Sequence, residues 1–327
     1  MMNKNFFKDS NLKTFSRIGS RATFGMASLE LVKDYPNLNI ITADVSTSAG
    51  LDKFRKNYPE NYIDVGIAEQ NMIGIATGLA NEGFPVITTT FAPFQTMRCC
   101  EQIKVNLGYM KKNVTMVGLA SGLVLGTLGY THCCIEDIGV LRSIPNINII
   151  SPADCFETIK AVQSSLDNKL STYIRLTGGT NNPQVYFKDY KFKIGRSVLV
   201  NKGKNVTIFA NGTMVHESLM ALEILKKKKI NPTIVNMHTI KPIDEKAIIL
   251  ACKNSKLIVT IEEHNVIGGL GSAVAEVISR QKKQAKQLFI GINDNYSKGG
   301  TYENLKEKFG LTYKKIALNI RKNYEQL

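Results

Sequence analysis

Short apolar, β-branched runs alternate with helical segments along nearly the whole chain, and this alternation restricts the possible folds most. The runs lie at 38–41, 85–90, 114–118, 147–150 and 172–175 in the first half, and at 206–210, 233–236, 257–261 and 288–292 in the second. Strands that are separated by helices lie parallel to each other in a sheet. The pattern therefore predicts an α/β fold with two parallel sheets.

The 327 residues are enough for two α/β domains with separate cores. Residues 178 to about 195 carry Gly, Asn, Pro and Lys without periodicity, which is typical of a linker. We expect a first domain at 12–178, a linker at 179–195 and a second domain at 196–327.

Composition excludes several classes of protein. Hydrophobic residues make up 43% of the chain, no apolar run has the length of a membrane span, and residues 1–9 lack the apolar core of a secretory signal. The six cysteines include two adjacent pairs but no Cys-x-x-Cys, which argues against a disulfide framework or a zinc site. We expect a cytoplasmic protein with reduced thiols, no membrane partner and no metal held by this chain alone.

The net charge of +15 is large, and it comes mainly from lysines scattered through helical segments, such as 226–229 and 282–286. Nucleic acid, anionic substrates or a partner surface could each explain such an excess. No Arg-rich tract or aromatic-interleaved RNA-binding signature accompanies the lysines. We therefore expect a solvated basic surface and no nucleic-acid partner.

The segment 61–80 holds one carboxylate, Glu69, past an entry marked by Asp64 and Gly66. From Ile67 onward the segment lacks a clean polar face, which predicts a helix buried nearly all round. Two interpretations of Glu69 remain open at this point. It either lies in the first turn, where the helix dipole favours a negative charge, or it is a buried carboxylate that hydrogen-bonds a ligand.

Several polar residues follow predicted strands, where α/β folds bind ligands. Asp44 and Ser48 follow the first strand, and Arg175 ends the fifth; ordinary turn chemistry and a surface salt bridge are the alternatives. The loop 120–132 contains three glycines and is expected to be long and flexible.

Two further patterns have ordinary explanations. Phe91, Phe94 and Met97 are spaced by three residues, which would place them on one helical face, usually part of a core. The run Gly268-Gly269-Leu270-Gly271 opens a helix, but it lacks the third glycine and the acidic residue of a dinucleotide-binding fingerprint.

Taken in order, these motifs resemble the C-terminal half of a transketolase, from about residue 14 onward. The most specific match is Gly66-Ile67-Ala68-Glu69-Gln70-Asn71. Supporting matches are Thr90-Phe91-Ala92-Pro93-Phe94, Thr131-His132, Ser151-Pro152-Ala153-Asp154, Glu262-Glu263-His264 and Gly268-Gly269-Leu270-Gly271. The resemblance implies a pyrimidine-binding domain and a C-terminal domain of a thiamine-diphosphate enzyme.

The resemblance also implies roles in binding thiamine diphosphate. Glu69 would hydrogen-bond the aminopyrimidine ring and so help to activate the cofactor. Phe94, with Phe91 and Met97 nearby, would pack against that ring. Related enzymes hold the diphosphate and Mg²⁺ with a Gly-Asp-Gly segment, which this chain lacks. We therefore expect a separate N-terminal subunit that carries the diphosphate- and Mg²⁺-binding domain, in an α₂β₂ heterotetramer.

The resemblance implies substrate contacts as well. His132 matches a histidine that contacts the donor's hydroxyls, and Arg21, Ser48 and Arg175 resemble positions that hold a sugar phosphate, with Asp44 on the same loop as Ser48. Two positions depart from the family pattern. Leu128 replaces an Asp that reads a sugar hydroxyl, and Ala120 replaces a His of the sugar channel. Losing two polar groups should change the preference among sugars.

The expected activity is transfer of a two-carbon ketol unit from a phosphorylated ketose to an aldehyde acceptor. The alternatives are action on a modified or nucleotide-linked sugar, chemistry like that of 1-deoxyxylulose-phosphate synthase, or a binding protein that has lost catalysis. Retention of Glu69 and His132 argues against the binding protein.

Overall fold

The structure is a computed structural model that describes residues 9–327; residues 1–8, considered above as part of a possible signal, lie outside this range. In chain order the strands are β1 (Asn39–Thr42), β2 (Tyr62–Asp64), β3 (Val86–Phe91), β4 (Thr115–Leu119), β5 (Ile147–Ile150), β6 (Ser171–Arg175), β7 (Val198–Asn201), β8 (Asn205–Ala210), β9 (Thr233–Asn236), β10 (Thr239–Lys241), β11 (Ser255–Asn265) and β12 (Lys286–Ile292).

The α-helices alternate with most of these strands, as the sequence predicts, but no helix separates β6, β7 and β8 or β9 and β10. They are α1 (Asp9–Asp34), α2 (Asp52–Asn57), α3 (Glu69–Asn81), α4 (Ala92–Gln95), α5 (Cys100–Gln102), α6 (Asp137–Arg142), α7 (Cys155–Leu166), α8 (Met214–Lys227), α9 (Glu245–Asn254), α10 (Leu270–Ile278), α11 (Tyr302–Lys308) and α12 (Tyr313–Tyr324). No helix in the described range combines the length and apolar character that crossing a bilayer requires.

The strands form two sheets, one of seven strands in the order β10-β5-β6-β4-β3-β1-β2 and one of five in the order β12-β11-β8-β9-β7. The predicted two-domain α/β fold is confirmed, but each sheet has one antiparallel edge strand and is not wholly parallel. β10 pairs antiparallel with β5, and β7 pairs antiparallel with β9. Both edge strands are short and lack a crossover helix, so the alternation of strands and helices did not reveal them.

Strand β10 also ties the two halves of the chain together, because it follows β9 of the second sheet yet pairs with the first. The residues from 176 to 197 contain no helix or strand, which suits the predicted linker. The domain limits themselves stay a prediction.

Helices cover both faces of the first sheet. Phe24 and Leu31 of α1 pack with Phe156 of α7 in one core cluster, and Met72 and Ile73 of α3 belong to the cluster on the other side. The sheet is therefore a buried middle layer, and its carboxyl-terminal edge and loops are left to form a site.

Helix α1 is kinked at Gly19, which has φ 85° and ψ 173°. A Cβ atom at this position would lie 2.3 Å from the carbonyl oxygen of Gly179, so only glycine allows the linker to pack this closely. After the kink α1 runs along the loop that follows β1, where a Cβ on Gly50 would lie 2.8 Å from the Cα of Ala22. The kink thus places Arg21 beside the loop that carries Asp44 and Ser48.

The Glu262-Glu263-His264 run has a structural role at the junction of the two domains. The Glu263 carboxylate accepts hydrogen bonds from the Leu123 backbone N–H at 2.7 Å and from the Tyr302 hydroxyl at 2.7 Å. The Glu262 carboxylate accepts from the backbone N–H groups of Leu270 and Gly271 at the start of α10, and burial raises the pKa of Glu262 to about 7.

Candidate active site

The carboxylate of Glu69 lies in the first turn of α3 and is 4% exposed. The backbone leading to it is shaped by Asp64, whose Oδ1 accepts hydrogen bonds from the N–H groups of Asp44 and Gly66, both at 3.0 Å. Burial acts to raise the pKa of Asp64, but these backbone hydrogen bonds, together with side-chain hydrogen bonds from Thr42 and Tyr62, lower that pKa below its usual value. Asp64 therefore joins the loop after β1 to the start of α3.

Helix α3 is not buried nearly all round, so that prediction was wrong. Met72 and Ile73 pack into the core, whereas Gly74 and Gly78 are exposed and Ile67, just before the helix, is 77% exposed. A Cβ added to Gly74 or Gly78 would meet no atom within 4 Å. The sequence suggested burial because small and apolar residues occupy this open face too.

The Glu69 carboxylate is paired with Arg98, a residue that the sequence analysis did not identify. Arg98 Nη1 lies 2.5 Å from Glu69 Oε1. The Arg98 guanidinium carbon lies 3.9 Å from the ring centroid of Phe94, so the cation also stacks on that ring. The amide of Gln70 donates to the Arg98 carbonyl oxygen at 3.0 Å. An arginine four residues after Phe94 carries no sequence signal of its own.

Phe91, Phe94 and His132 form an aromatic cluster beside this ion pair. The Phe94 and His132 ring centroids are 5.4 Å apart, those of Phe91 and His132 are 6.1 Å apart, and those of Phe91 and Phe94 are 6.5 Å apart. All three pairs meet edge to face, a favourable arrangement. Glu69, Arg98, Phe94 and His132 are thus joined through successive contacts.

Met97 does not share a helical face with the two phenylalanines, and that prediction was wrong. Phe91 is the last residue of β3, Phe94 lies in the single turn α4, and Met97 follows the end of that turn with 40% of its surface exposed. The spacing of three therefore spans a strand, a helical turn and a loop.

His132 lies half-buried at the end of the glycine-containing loop, with its Nδ1 3.0 Å from the Thr131 hydroxyl oxygen. The loop folds back on itself, since the backbones of Gly122 and Cys134 exchange two hydrogen bonds. Leu128 lies in a 3₁₀ turn of this loop and is 56% exposed, whereas Ala120 is fully buried with φ 51°. Ala120 therefore does not line an open channel in this structure.

The remaining predicted substrate residues lie along the kinked helix and the loop after β1. Asp44 is exposed with φ 55°, while Ser48 and Arg21 are half-buried. Burial lowers the pKa of Arg21, and among the side chains of residues 11–327 its guanidinium has no carboxylate partner. No hydrogen bond in the described range joins these three residues to Glu69 or His132.

Arg175 lies elsewhere, and the structure contradicts the expectation that it holds a sugar phosphate. It is fully buried; its Nε donates to both oxygens of Asp137 at 2.8 and 2.9 Å, and its Nη2 donates to the carbonyl oxygens of Cys134 and Glu263. Burial acts to lower the pKa of Arg175, but the carboxylates of Asp137 and Glu263 raise it above its usual value. The alternative of a surface salt bridge is also wrong, because this pair has no exposed surface.

The residues around Glu69 fit an aminopyrimidine. The space between Glu69 and Phe94 already holds the guanidinium of Arg98. A guanidinium resembles an aminopyrimidine in two respects, because both groups are flat and both donate hydrogen bonds. The carboxylate can accept a hydrogen bond from a ring, and the phenyl face can stack on it. In contrast, the described residues contain no group of three or more His, Cys, Asp or Glu side chains that could hold a metal ion.

Comparison with protein families and known proteins agrees with this geometry. The family described as "Transketolase, pyrimidine binding domain" matches residues 16–181, and "Transketolase, C-terminal domain" matches residues 195–316. The chain is 38% identical over 305 residues to a "Putative transketolase C-terminal section" of Methanocaldococcus jannaschii, covering 92% of this chain and 95% of the relative.

Two further relatives cover nearly the same span. The chain is 35% identical over 311 residues to the "6-deoxy-6-sulfo-D-fructose transketolase subunit SqwH" of Clostridium sp. (strain MSTE9), covering 93% of this chain and 95% of the relative. A solved structure titled "Split gene transketolase, inactive beta4 tetramer" superposes with a TM-score of 0.84 at 35% identity, covering 93% of this chain and 97% of that one.

Proposed function

This chain belongs to the transketolase family as a C-terminal section with the pyrimidine-binding and C-terminal domains, and on that premise we propose that it supplies the pyrimidine half of a split thiamine-diphosphate site. The enzyme transfers ketol groups and acts with a partner subunit. The observation that carries the proposal is the buried Glu69 carboxylate beside the stacking face of Phe94.

Thiamine diphosphate supplies, when bound, a nucleophilic carbon that can accept the two-carbon unit of a ketose. In our proposal Glu69 hydrogen-bonds the pyrimidine ring nitrogen and keeps a proton at that atom, which favours loss of a proton at the reacting carbon. Phe94 stacks on the ring, while Phe91 and Met97 help to exclude water. His132, with Nδ1 held by Thr131, presents its other ring nitrogen to a hydroxyl of the donor.

The partner in this proposal is an N-terminal subunit that carries the diphosphate- and Mg²⁺-binding domain, in an α₂β₂ heterotetramer. Two observations support it. The chain has no Gly-Asp-Gly segment, and the open face of α3 around Gly74 and Gly78 suits close packing by another subunit. The free thiols of Cys99, Cys100, Cys133, Cys134, Cys155 and Cys252 support a cytoplasmic location.

Within the substrate region we propose a phosphorylated ketose donor, bound by Arg21, Ser48, Asp44 and His132. Arg21 is half-buried and has no carboxylate partner among the side chains of residues 11–327, which supports a phosphate contact. A modified sugar is the second candidate. The exposed apolar side chain of Leu128 favours it, and one relative is named for a sulfonated sugar.

The test of this function is exchange of the cofactor's C2 proton. It is measured in the complex of this chain with a partner subunit that carries a Gly-Asp-Gly segment, called here the Gly-Asp-Gly partner. We expect Glu69→Gln to slow the exchange by about 100-fold or more, because an amide cannot keep the shared proton on the ring. Size-exclusion chromatography should show that the variant complex still assembles. Exchange at the unmodified rate in an assembled Glu69→Gln complex would rule out this role for Glu69.

A further inference from the structure

The guanidinium of Arg98 occupies the space between Glu69 and Phe94. It makes the two contacts that an aminopyrimidine would need, a hydrogen bond to Glu69 Oε1 at 2.5 Å and a stacking contact with Phe94 at 3.9 Å. We propose that Arg98 is an autoinhibitory occupant of the pyrimidine site, which must swing out before thiamine diphosphate can bind. This inference rests on the proposed function of Glu69 and Phe94.

The two occupants exclude each other for a geometric reason. Glu69 is 4% exposed, so little of its carboxylate is open to any further group, and its Oε1 already accepts from Arg98 Nη1. The guanidinium carbon at 3.9 Å covers the stacking face of Phe94. His132 also crowds the Phe94 ring, since the two ring centroids lie 5.4 Å apart. A ring that must contact both Glu69 and Phe94 therefore has to occupy the space that the Arg98 guanidinium fills.

The arginine side chain is free to leave while its backbone stays in place. Its side chain is 41% exposed, and among the described residues its guanidinium makes no ion pair other than that with Glu69. Its backbone, in contrast, is held: the carbonyl oxygen accepts from Gln70 Nε2 at 3.0 Å, and the N–H donates to the Pro93 carbonyl oxygen at 3.3 Å. The motion is thus a side-chain rotation toward solvent rather than a change of the loop.

The ion pair between Arg98 and Glu69 also has a physical reason. A carboxylate that is buried without a counter-charge is costly, so Glu69 needs a partner whenever the cofactor is absent. Arg98 provides that partner and shields the Phe94 ring from water until the cofactor arrives. A partly exposed ion pair combined with a cation–π contact changes an equilibrium constant by about 3- to 30-fold. Displacement of Arg98 should therefore weaken cofactor binding by a factor in that range.

The experiment measures thiamine diphosphate binding to the complex of this chain with its Gly-Asp-Gly partner, in Mg²⁺ buffer, by calorimetry. We expect Arg98→Ala to lower the dissociation constant by about 3- to 30-fold, because the competing group is gone. Arg55→Ala is the matched control and should leave the constant unchanged, since Arg55 pairs only loosely with Asp52 at 3.7 Å on the surface. An unchanged or weaker affinity in a folded Arg98→Ala complex would overturn the proposal.

A second measurement keeps the test decisive if Arg98→Ala fails to fold. The crystal structure of the unmodified complex with thiamine diphosphate should show the Arg98 guanidinium away from both Glu69 and Phe94. Persistence of both contacts in the loaded complex would overturn the inference, because Arg98 would then be a permanent partner of Glu69. If the unmodified complex binds no thiamine diphosphate, the proposed function itself fails, which is a different result.

Discussion

A single buried carboxylate, Glu69, makes opposing demands on its surroundings. In its proposed role it must be shielded from water to act on a pyrimidine, yet a shielded charge needs a partner. Arg98 meets the second demand with one ion pair and one stacking contact. Arg175 shows another way in which this chain pairs an arginine, because its ion pair with Asp137 is closed to solvent.

We predict that Arg175→Met lowers the free energy of unfolding by about 3–5 kcal/mol, because the carboxylate of Asp137 would remain buried without its counter-charge. Urea denaturation measures the change. The control is Arg280→Met, which breaks an exposed pair with Glu245 and should cost less than about 1 kcal/mol. Equal effects of the two substitutions would contradict the structural role of Arg175.

In our proposal, helix α3 is the element that connects the site to assembly. Its first turn presents Glu69 to the site, its inner face carries Met72 and Ile73 into the core, and its outer face is nearly bare at Gly74 and Gly78. Glycines in a helix interior cost stability relative to alanine. Two of them on one open face therefore suggest a benefit outside the isolated chain, such as close packing against another subunit.

We predict that Gly74→Arg leaves the chain folded but blocks its assembly with other subunits, because the added side chain has free space here and none in a packed interface. Sedimentation of the chain, alone and with its partner, reports assembly. Gly74→Ala is the size control; it should assemble and be more stable by up to about 1 kcal/mol. Normal assembly of Gly74→Arg would show that this face is not an interface.

At the scale of the whole molecule, we propose that this chain contains half of a site. The described residues bring Phe94 and His132 together beside Glu69, our proposed pyrimidine site, but contain no group of side chains that could hold a metal ion. The two sheets, joined through β10 and Glu263, form a scaffold that holds the cluster at the edge of the first sheet.

We predict that the isolated chain binds thiamine diphosphate at least about 100-fold more weakly than the complex, because the charge-assisted contacts to the diphosphate and Mg²⁺ come from the partner. Calorimetry with and without the partner measures the difference. Thiamine without its diphosphate is the control and should gain far less from the partner. Tight, Mg²⁺-dependent binding of thiamine diphosphate by this chain alone would refute the split site.

The sequence by itself determined the fold class and the main strands and helices, because hydrophobic periodicity and turn residues are local properties that a core of this type requires. It also raised Glu69 as a candidate from its own segment, whereas the site roles of Phe94 and His132 came only through a resemblance to a family. Their meeting in space depends on loops whose paths no local pattern encodes.

Only the tertiary structure decided which charged groups are paired, and with what. Arg175 ends β6 and Arg98 lies between α4 and α5, yet one is sealed in the core against Asp137 and the other lies over Phe94 in contact with solvent. The open face of α3 was equally hidden, since small residues suit a buried helix and a docking face alike. Pairing and exposure depend on residues distant in sequence, and for this reason periodicity and composition could not predict them.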